Sequence, residues 1–220
     1  MRASDVLRSV AAAACIAAIV GLGGCSDDEA RAKAAKKAAK AQREGRLLAM
    51  EYPRSTGVQP RSMEISYDGA ADRTFMTLRL TGMRVGGGGA SSVSSATLHL
   101  TSNHKGRTRP TDNPEGSVDG GLIVQTSSPG VLAYSGPPGR VTIGGETLPL
   151  KDASGKDEYS STKKGSGAEE IVRFRFPTEH LISAATSGGF TMSFGTVQLE
   201  ISGQNLADLR EFAARMNPRP

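Results

Sequence analysis

The sequence is poor in aromatic residues and in cysteine. Tryptophan is absent, and aromatic residues make up 5% of the 220 residues. A folded core must therefore be built mainly from Leu, Ile, Val and Met, with a few Phe side chains. The only cysteines are Cys15 and Cys25. Cys15 lies within an apolar segment that we expect to be removed, so the remaining chain has no pair for a disulfide framework.

The larger part of the chain also lacks an excess of positive charge. The net charge is +5, but residues 25–46 alone carry seven basic and four acidic residues. From residue 47 onward, eighteen basic residues are balanced by seventeen acidic ones. A nearly neutral domain lacks the electrostatic footprint of a protein that binds a polyanion. We therefore predict no nucleic-acid partner.

The first segment of the chain has the pattern of an export signal. Arg2 and Arg8 form a short basic start, and an apolar run follows from 10 to 22. This run has the length of a signal-peptide core and is shorter than the roughly 20 residues that a membrane-spanning helix needs. A buried Ala-rich helix is the alternative, but the basic flank and the small residues at the exit favour export. We predict that residues 1–24 are a signal peptide that is removed.

The end of this signal carries a specific motif, Leu22-Gly23-Gly24-Cys25. It resembles the lipobox of bacterial lipoproteins, in which an aliphatic residue and two small residues precede the cysteine. The resemblance covers only about the first 25 residues. It implies a diacylglyceryl thioether on Cys25, cleavage before it, and a fatty acid such as palmitate on the new amino terminus. Because Ser26 rather than Asp follows the cysteine, it also implies the periplasmic face of the outer membrane in the cell envelope.

The segment after the cysteine is rich in Ala and Lys. Residues 28–44 are nearly all strong helix formers, acidic residues come first, and Gly45 is a plausible C-cap. We predict that residues 25–46 are an exposed helical tether to the membrane, and that 47–61 are an irregular lead-in. The helix is interpreted as a solvated spacer, with contact to anionic headgroups as the alternative.

Residues 62–220 are predicted to form a single β-rich domain. Apolar and polar residues alternate with period two in at least seven stretches, which is typical of half-buried strands. Gly-rich turns separate the stretches, so we predict an antiparallel sandwich or open barrel. The expected inward residues are Met63, Ile65, Tyr67, Met76, Leu78, Leu80, Ala96, Leu98, Leu100, Val141, Ile143, Val172, Phe174, Phe176, Phe190, Met192, Phe194, Val197, Leu199 and Ile201.

Two helices and three loops interrupt the strand pattern. A short helix is predicted near 178–186. A longer amphipathic helix is predicted from Asn205 to Met216, with an apolar stripe that should pack on the sheet. Residues 86–95, 102–119 and 151–170 are rich in Gly, Ser or charge and are predicted to be solvated loops; the last of them is alternatively a hairpin with Tyr159 at its tip.

A search for catalytic and metal-binding patterns finds no convincing set. Ser160 and Lys163 match the Ser-x-x-Lys spacing of penicillin-recognising enzymes, but the helix and the companion motifs that this chemistry needs are missing. His104 lies near Asp112 and Glu115, but a structural zinc site needs four ligands at tighter spacing. His180 beside Glu179 is more typical of a surface pair. We predict no catalytic residues, no metal and no cofactor.

Three functional hypotheses follow. The first is a non-catalytic envelope lipoprotein that binds an envelope protein, glycan or lipid, or has a structural role. The second is a tethered periplasmic hydrolase with an active site built from loops 102–119 and 151–170. The third is a module that acts on anionic membranes through its Lys-rich helix. A groove on an open surface favours the first, and a deep pocket with converging His, Asp or Glu side chains favours the second.

Overall fold

A computed structural model describes residues 26–49, 53–107, 117–132, 139–153 and 159–216. Within the first helix, side chains are described for residues 28–42. The predicted signal peptide and the predicted lipid site Cys25 lie outside the described residues. So do Arg109, Asp112 and Glu115 of the predicted loop 102–119.

The described residues form three helices and twelve strands. The helices are α1 (Ser26–Ala49), α2 (Thr178–Thr186) and α3 (Gly203–Met216). The strands are β1 (Met63–Asp68), β2 (Arg73–Thr81), β3 (Arg84–Gly86), β4 (Val93–Lys105), β5 (Ser117–Thr126), β6 (Arg140–Ile143), β7 (Glu146–Pro149), β8 (Lys151–Asp152), β9 (Tyr159–Lys164), β10 (Gly167–Pro177), β11 (Phe190–Phe194) and β12 (Val197–Ile201).

The strands are arranged in two antiparallel sheets. The seven-stranded sheet has the order β1-β2-β4-β5-β10, and the outer side of β10 pairs with both β8 and β9. The five-stranded sheet has the order β3-β12-β11-β6-β7. Neither sheet closes on itself. The predicted mainly β, antiparallel architecture is confirmed, and the closed form of a barrel is absent among the described strands.

One hydrophobic core receives the inner faces of both sheets. The predicted inward residues of β2, β4, β10, β11 and β12 are buried, because alternate side chains of a strand point to the same face. Phe174 of one sheet and Phe194 of the other have ring centroids 5.1 Å apart. This aromatic pair connects the two sheets directly.

The prediction for β1 is only partly correct. Met63 is buried, but Ile65 and Tyr67 are 41% and 37% exposed. They lie on the inner side of the sheet, yet β1 is its edge strand, and burial at an edge depends on how far the opposite layer extends. Tyr67 is instead covered locally, because its hydroxyl donates a hydrogen bond to Asp72 (2.9 Å) and the Arg107 guanidinium lies 4.5 Å from its ring centroid.

Both helices predicted in the domain are present. Helix α3 begins at Gly203, two residues before the predicted start, and buries the predicted stripe of Leu206, Leu209, Phe212, Ala213 and Met216. Arg210 donates hydrogen bonds to the carbonyl oxygens of Ala185 (2.8 Å) and Ser187 (2.7 Å). These bonds attach α3 to the C-terminal end of α2, where carbonyl groups lack partners within the helix.

The helix of the predicted tether is longer than expected. Helix α1 continues to Ala49, so the predicted C-cap at Gly45 and the predicted lead-in start at 47 are wrong. A glycine inside a helix costs only about 1 kcal/mol relative to alanine, and good helix formers follow it. The side chains of residues 28–42 are exposed, and Lys33 forms an ion pair with Glu29 (2.7 Å). None of the described helices has the length and apolarity needed to cross a membrane.

All three predicted loops contain regular structure. In the stretch 102–119, β4 continues to Lys105 and β5 begins at Ser117, so the loop prediction is wrong at both ends of this stretch. Residues 90–92 form a short 3-10 helix within the Gly- and Ser-rich stretch 86–95. The charged stretch 151–170 contains β8 and a hairpin of β9 with β10, so the long-loop interpretation is wrong for the described residues. Tyr159 lies at the start of β9, opposite Val172, rather than at the hairpin tip.

Candidate functional site

The outer face of the seven-stranded sheet carries a row of polar residues that crosses four strands. Arg79 on β2 lies opposite His99 on β4, His99 lies opposite Gly121 on β5, and Gly121 lies opposite Arg173 on β10. Directly opposite residues of an antiparallel sheet point to the same face. The register therefore places two arginines and a histidine in one line, with a gap at the glycine.

A groove lies at this gap and is named here the outer-face groove. Its volume is about 330 Å³, which is at the lower end of the range for ligand sites. Ile123 and Ile171 lie opposite each other on one side of the row and are half-buried. The groove is lined by His99, Thr101, Asp119, Gly120, Gly121, Ile123, Ile171 and Arg173.

The two adjacent glycines of β5 have different structural roles. A Cβ atom at Gly120 would lie 2.3 Å from the Phe174 ring, so packing in the core requires the glycine there. A Cβ atom at Gly121 would meet nothing within 4 Å, and its φ is not positive. Glycine weakens a strand interior and often marks a place where a ligand or another backbone approaches closely. Core packing therefore explains Gly120 and leaves Gly121 as the floor of an open groove.

The polar row carries a positive charge at each end: Arg173 lines the groove, and Arg79 lies beyond the groove on β2, next to His99. Within the described part of the chain, neither Arg79 nor Arg173 forms an ion pair with a carboxylate. Asp119 does have a cationic neighbour, because Arg175 Nε lies 3.7 Å from its Oδ1. Burial lowers the pKa of His99 below its ordinary value of 6.5, and the charge of Arg79 lowers it further. At neutral pH the ring is therefore uncharged and able to donate one hydrogen bond and accept another.

A second, polar cavity of about 610 Å³ adjoins the row at Arg79. It lies where residues 60–62, the end of β2 and the start of α3 meet. Asp208 is buried at this place and accepts hydrogen bonds from Ser62 Oγ (2.5 Å) and Gln204 Nε2 (2.6 Å). The buried carboxylate in this cavity is therefore already partnered within the fold.

Glu170 is the fully buried carboxylate on the inner side of β10. Its Oε1 accepts a hydrogen bond from Val131 N (3.1 Å), and its Oε2 accepts hydrogen bonds from Leu132 N (2.8 Å) and Tyr159 Oη (3.3 Å). Burial raises the pKa of Tyr159 above 10.0, and the nearby Glu170 charge raises it further. The carboxylate therefore holds the chain around 131–132 against the sheet, on the face opposite to the groove.

The residues considered from the sequence are dispersed. Ser160 and Lys163 lie on β9, an exposed strand, rather than on the helix that the penicillin-recognising motif needs. His104 is on β4, His180 is in α2, and both have interaction partners. Among the described residues of the predicted loop 102–119, Asp119 lines the groove. No group of three or more His, Cys, Asp or Glu in the described ranges is placed to bind a metal ion.

Sequence reasoning identified parts of the groove but not the groove itself. The predicted inward residues Leu98, Leu100, Val172 and Phe174 imply that His99 and Arg173, which lie between them, point outward, and both do. The missed residues are Gly121, Ile123 and Ile171. The available signal was the Gly120-Gly121 pair inside an otherwise strand-like stretch, since two glycines in a central strand call for an explanation.

The comparisons with known proteins give no relative. No protein-family model matches the chain, and neither the curated proteins nor the solved structures include a significant match.

Proposed function

We propose that this chain is a cell-envelope lipoprotein, anchored through a lipid on Cys25, whose β-domain is a non-catalytic binding module. The anchor rests on the motif Leu22-Gly23-Gly24-Cys25 and on the apolar run before it. The binding role rests on one observation of the fold, the outer-face groove above Gly121. An open groove on a sheet face suits the recognition of a partner more than the enclosure of a reaction.

The proposed anchor has a simple physical basis. One acyl chain holds a protein only marginally on a bilayer, whereas two or three chains attach it stably. Helix α1 starts one residue after Cys25 and contains 24 residues, which corresponds to a length of about 36 Å. With exposed side chains from 28 to 42, it suits the role of a spacer between lipid and domain. Ser26 after the cysteine supports the periplasmic face of the outer membrane as the location.

A tethered hydrolase is the second candidate, and one observation favours it. His99 and Asp119 line the same groove, and an uncharged imidazole can accept a proton from water or from a hydroxyl group. A hydrolase of this kind would release soluble fragments from purified cell-wall material, and His99→Ala would abolish the release. A binding module retains the material without releasing fragments.

The test of the anchor compares Cys25→Ser with Cys15→Ser in a bacterium that processes lipoproteins. Wild-type protein is expected in the detergent phase of a detergent–water partition, at the mass of the processed chain. Cys25→Ser is expected in the aqueous phase or as an unprocessed precursor, because a serine hydroxyl does not receive the thioether lipid. Cys15→Ser is the matched control and should behave as wild type. Equal partitioning and processing of all three proteins would contradict the proposal.

A further inference from the structure

We propose that the outer-face groove, together with the polar row that crosses it, binds an acidic peptide in extended conformation, which lies across the strands with its backbone over Gly121 and its carboxylates on Arg173 in the groove and on Arg79 at the far end of the row. This inference deepens the proposed binding function and rests on it. It assigns the ligand by chemical class: alternating carboxylate and aliphatic side chains on a peptide backbone.

The charges along the polar row favour an anionic ligand. Asp119, the carboxylate in the groove lining, is already paired with Arg175 (3.7 Å). Arg79 and Arg173 are exposed and have no carboxylate partner among the described residues, although surface arginines on the same sheet, such as Arg175, do. A guanidinium group binds a carboxylate through two parallel hydrogen bonds, which are stronger than neutral ones. The two arginines lie three strands apart, and neighbouring strands are about 4.8 Å apart, so their backbones are separated by about 14 Å. An extended peptide spans this distance with about four residues.

The space at Gly121 favours a backbone rather than a bulky group. The groove exists because the side chain is missing at the one position of the row that lies between His99 and Arg173. An approaching peptide backbone needs such a gap, and the uncharged His99 ring beside it offers both a donor and an acceptor to peptide groups. A strand with a side chain at this position would hold the ligand away from the sheet.

The apolar part of the groove distinguishes a peptide from a sugar polymer. Ile123 and Ile171 form a half-buried aliphatic pair next to the row, which suits a Leu or Val side chain of the ligand. Aromatic rings, on which sugar rings usually stack, are absent from the groove lining given above. An acidic glycan such as a polyuronate would find the cations but no stacking surface, so we favour the peptide.

The test measures binding to the full chain in detergent micelles by fluorescence anisotropy. The probe is a dye-labelled dodecapeptide of alternating Glu and Leu, and the same peptide with Gln in place of Glu is the charge control. The Glu peptide is expected to bind at least ten-fold more tightly than the Gln peptide, because the bond between a guanidinium and a carboxylate is stronger than the bond between a guanidinium and a neutral amide. Partitioning into empty micelles is subtracted from both titrations.

Two variants locate the binding site, and a matched variant serves as their control. Gly121→Val fills the groove and should weaken binding at least ten-fold, while a valine on an open strand face leaves the fold intact. Arg173→Gln should weaken binding to the same degree. Gly86→Val adds the same side chain to β3, where a Cβ atom also meets nothing within 4 Å, and should bind as wild type.

In proton NMR spectra, the ring signals of His99 should shift on binding while those of His104 and His180 stay in place.

Several outcomes would overturn the inference. Equal affinity for the Glu and Gln peptides would show that the arginines do not bind the ligand. Unchanged affinity of Gly121→Val would show that the ligand does not bind in the groove. Binding of polygalacturonate without binding of the peptide would assign the groove to an acidic glycan instead. The experiment does not depend on the lipid, so a failed Cys25→Ser test with successful peptide binding would refute the anchor alone, and the reverse result would refute the ligand alone.

Discussion

The carboxylate of Glu170 illustrates how a single buried residue organises the loop beside it. Its two oxygens accept hydrogen bonds from the backbone N–H groups of Val131 and Leu132, one oxygen for each. Such an arrangement satisfies a buried charge with fixed backbone donors instead of a cation. Glu170→Gln would retain the shape but leave only one acceptor oxygen for the two N–H groups, whichever way the amide is oriented.

We therefore expect Glu170→Gln to lower the free energy of unfolding by about 1–3 kcal/mol, the cost of an unsatisfied buried donor. Urea denaturation followed by circular dichroism measures the change. Glu169→Gln is the matched control on the next residue, whose carboxylate faces outward to Lys164 (2.8 Å). Its substitution should lower the free energy of unfolding by less than Glu170→Gln does, because surface ion pairs contribute little to stability. Equal effects of the two substitutions would refute the role assigned to Glu170.

At the residue scale, the sequence predicts the direction of side chains better than the space between them. The alternation of β4 and β10 is enough to place His99 and Arg173 on the outer face. Their distance from each other depends on the register of β4, β5 and β10, which pair over long separations in the chain. The groove could not be predicted because it arises only when this register brings Gly121 between them.

At the scale of elements, the segment that enters the domain is held on helix α3 by a second buried carboxylate. Glu211 accepts hydrogen bonds from Ser55 Oγ (2.5 Å), from Thr56 N (2.7 Å) and from Arg215 Nε (2.7 Å). Burial by itself would raise the pKa of Glu211, but these hydrogen bonds outweigh it and lower the pKa from 4.5 to about 2. The charged form is therefore the one that holds the segment on the helix.

This shift predicts how stability depends on pH. Because the folded pKa of Glu211 is lowered, its contribution is fully present above about pH 5 and is lost as the pH falls from 4.5 toward 2. We expect the difference in unfolding free energy between wild type and Glu211→Gln to be roughly 2–3 kcal/mol at pH 6 and to approach zero near pH 2. Urea denaturation at a series of pH values measures it. A difference that is constant with pH, or that grows in acid, would contradict the assignment, and the exposed Glu200→Gln serves as the control.

The elements themselves were largely predictable, and their exceptions have local causes. The strands of the core and both helices of the domain follow from apolar periodicity. Helix α1 continues past Gly45 because an isolated glycine costs too little to end a helix of strong formers. The exposure of Ile65 and Tyr67 on β1 could not be predicted, since periodicity gives the face of a strand but not the extent of the layer that covers it.

At the scale of the whole molecule, none of the described side chains of the predicted tether belongs to the hydrophobic core. All residues of the hydrophobic core cluster lie between Met63 and Met216. The described side chains of α1, from 28 to 42, are exposed and mostly charged or small. Because the described side chains of α1 contribute nothing to this core, the segment 28–42 that carries them can be exchanged without unfolding the domain.

We therefore expect that a Gly/Ser segment of equal length in place of residues 28–42 leaves the free energy of unfolding of the domain, measured by urea denaturation, unchanged within about 0.5 kcal/mol. Far-UV circular dichroism should lose helical signal, while Cys25 still carries the chain into the detergent phase. A larger decrease in the free energy of unfolding would show that α1 is part of the fold. The same variant separates the two interpretations of the helix, because a spacer can be replaced without loss of binding to anionic vesicles, whereas a helix that contacts headgroups through its lysines cannot.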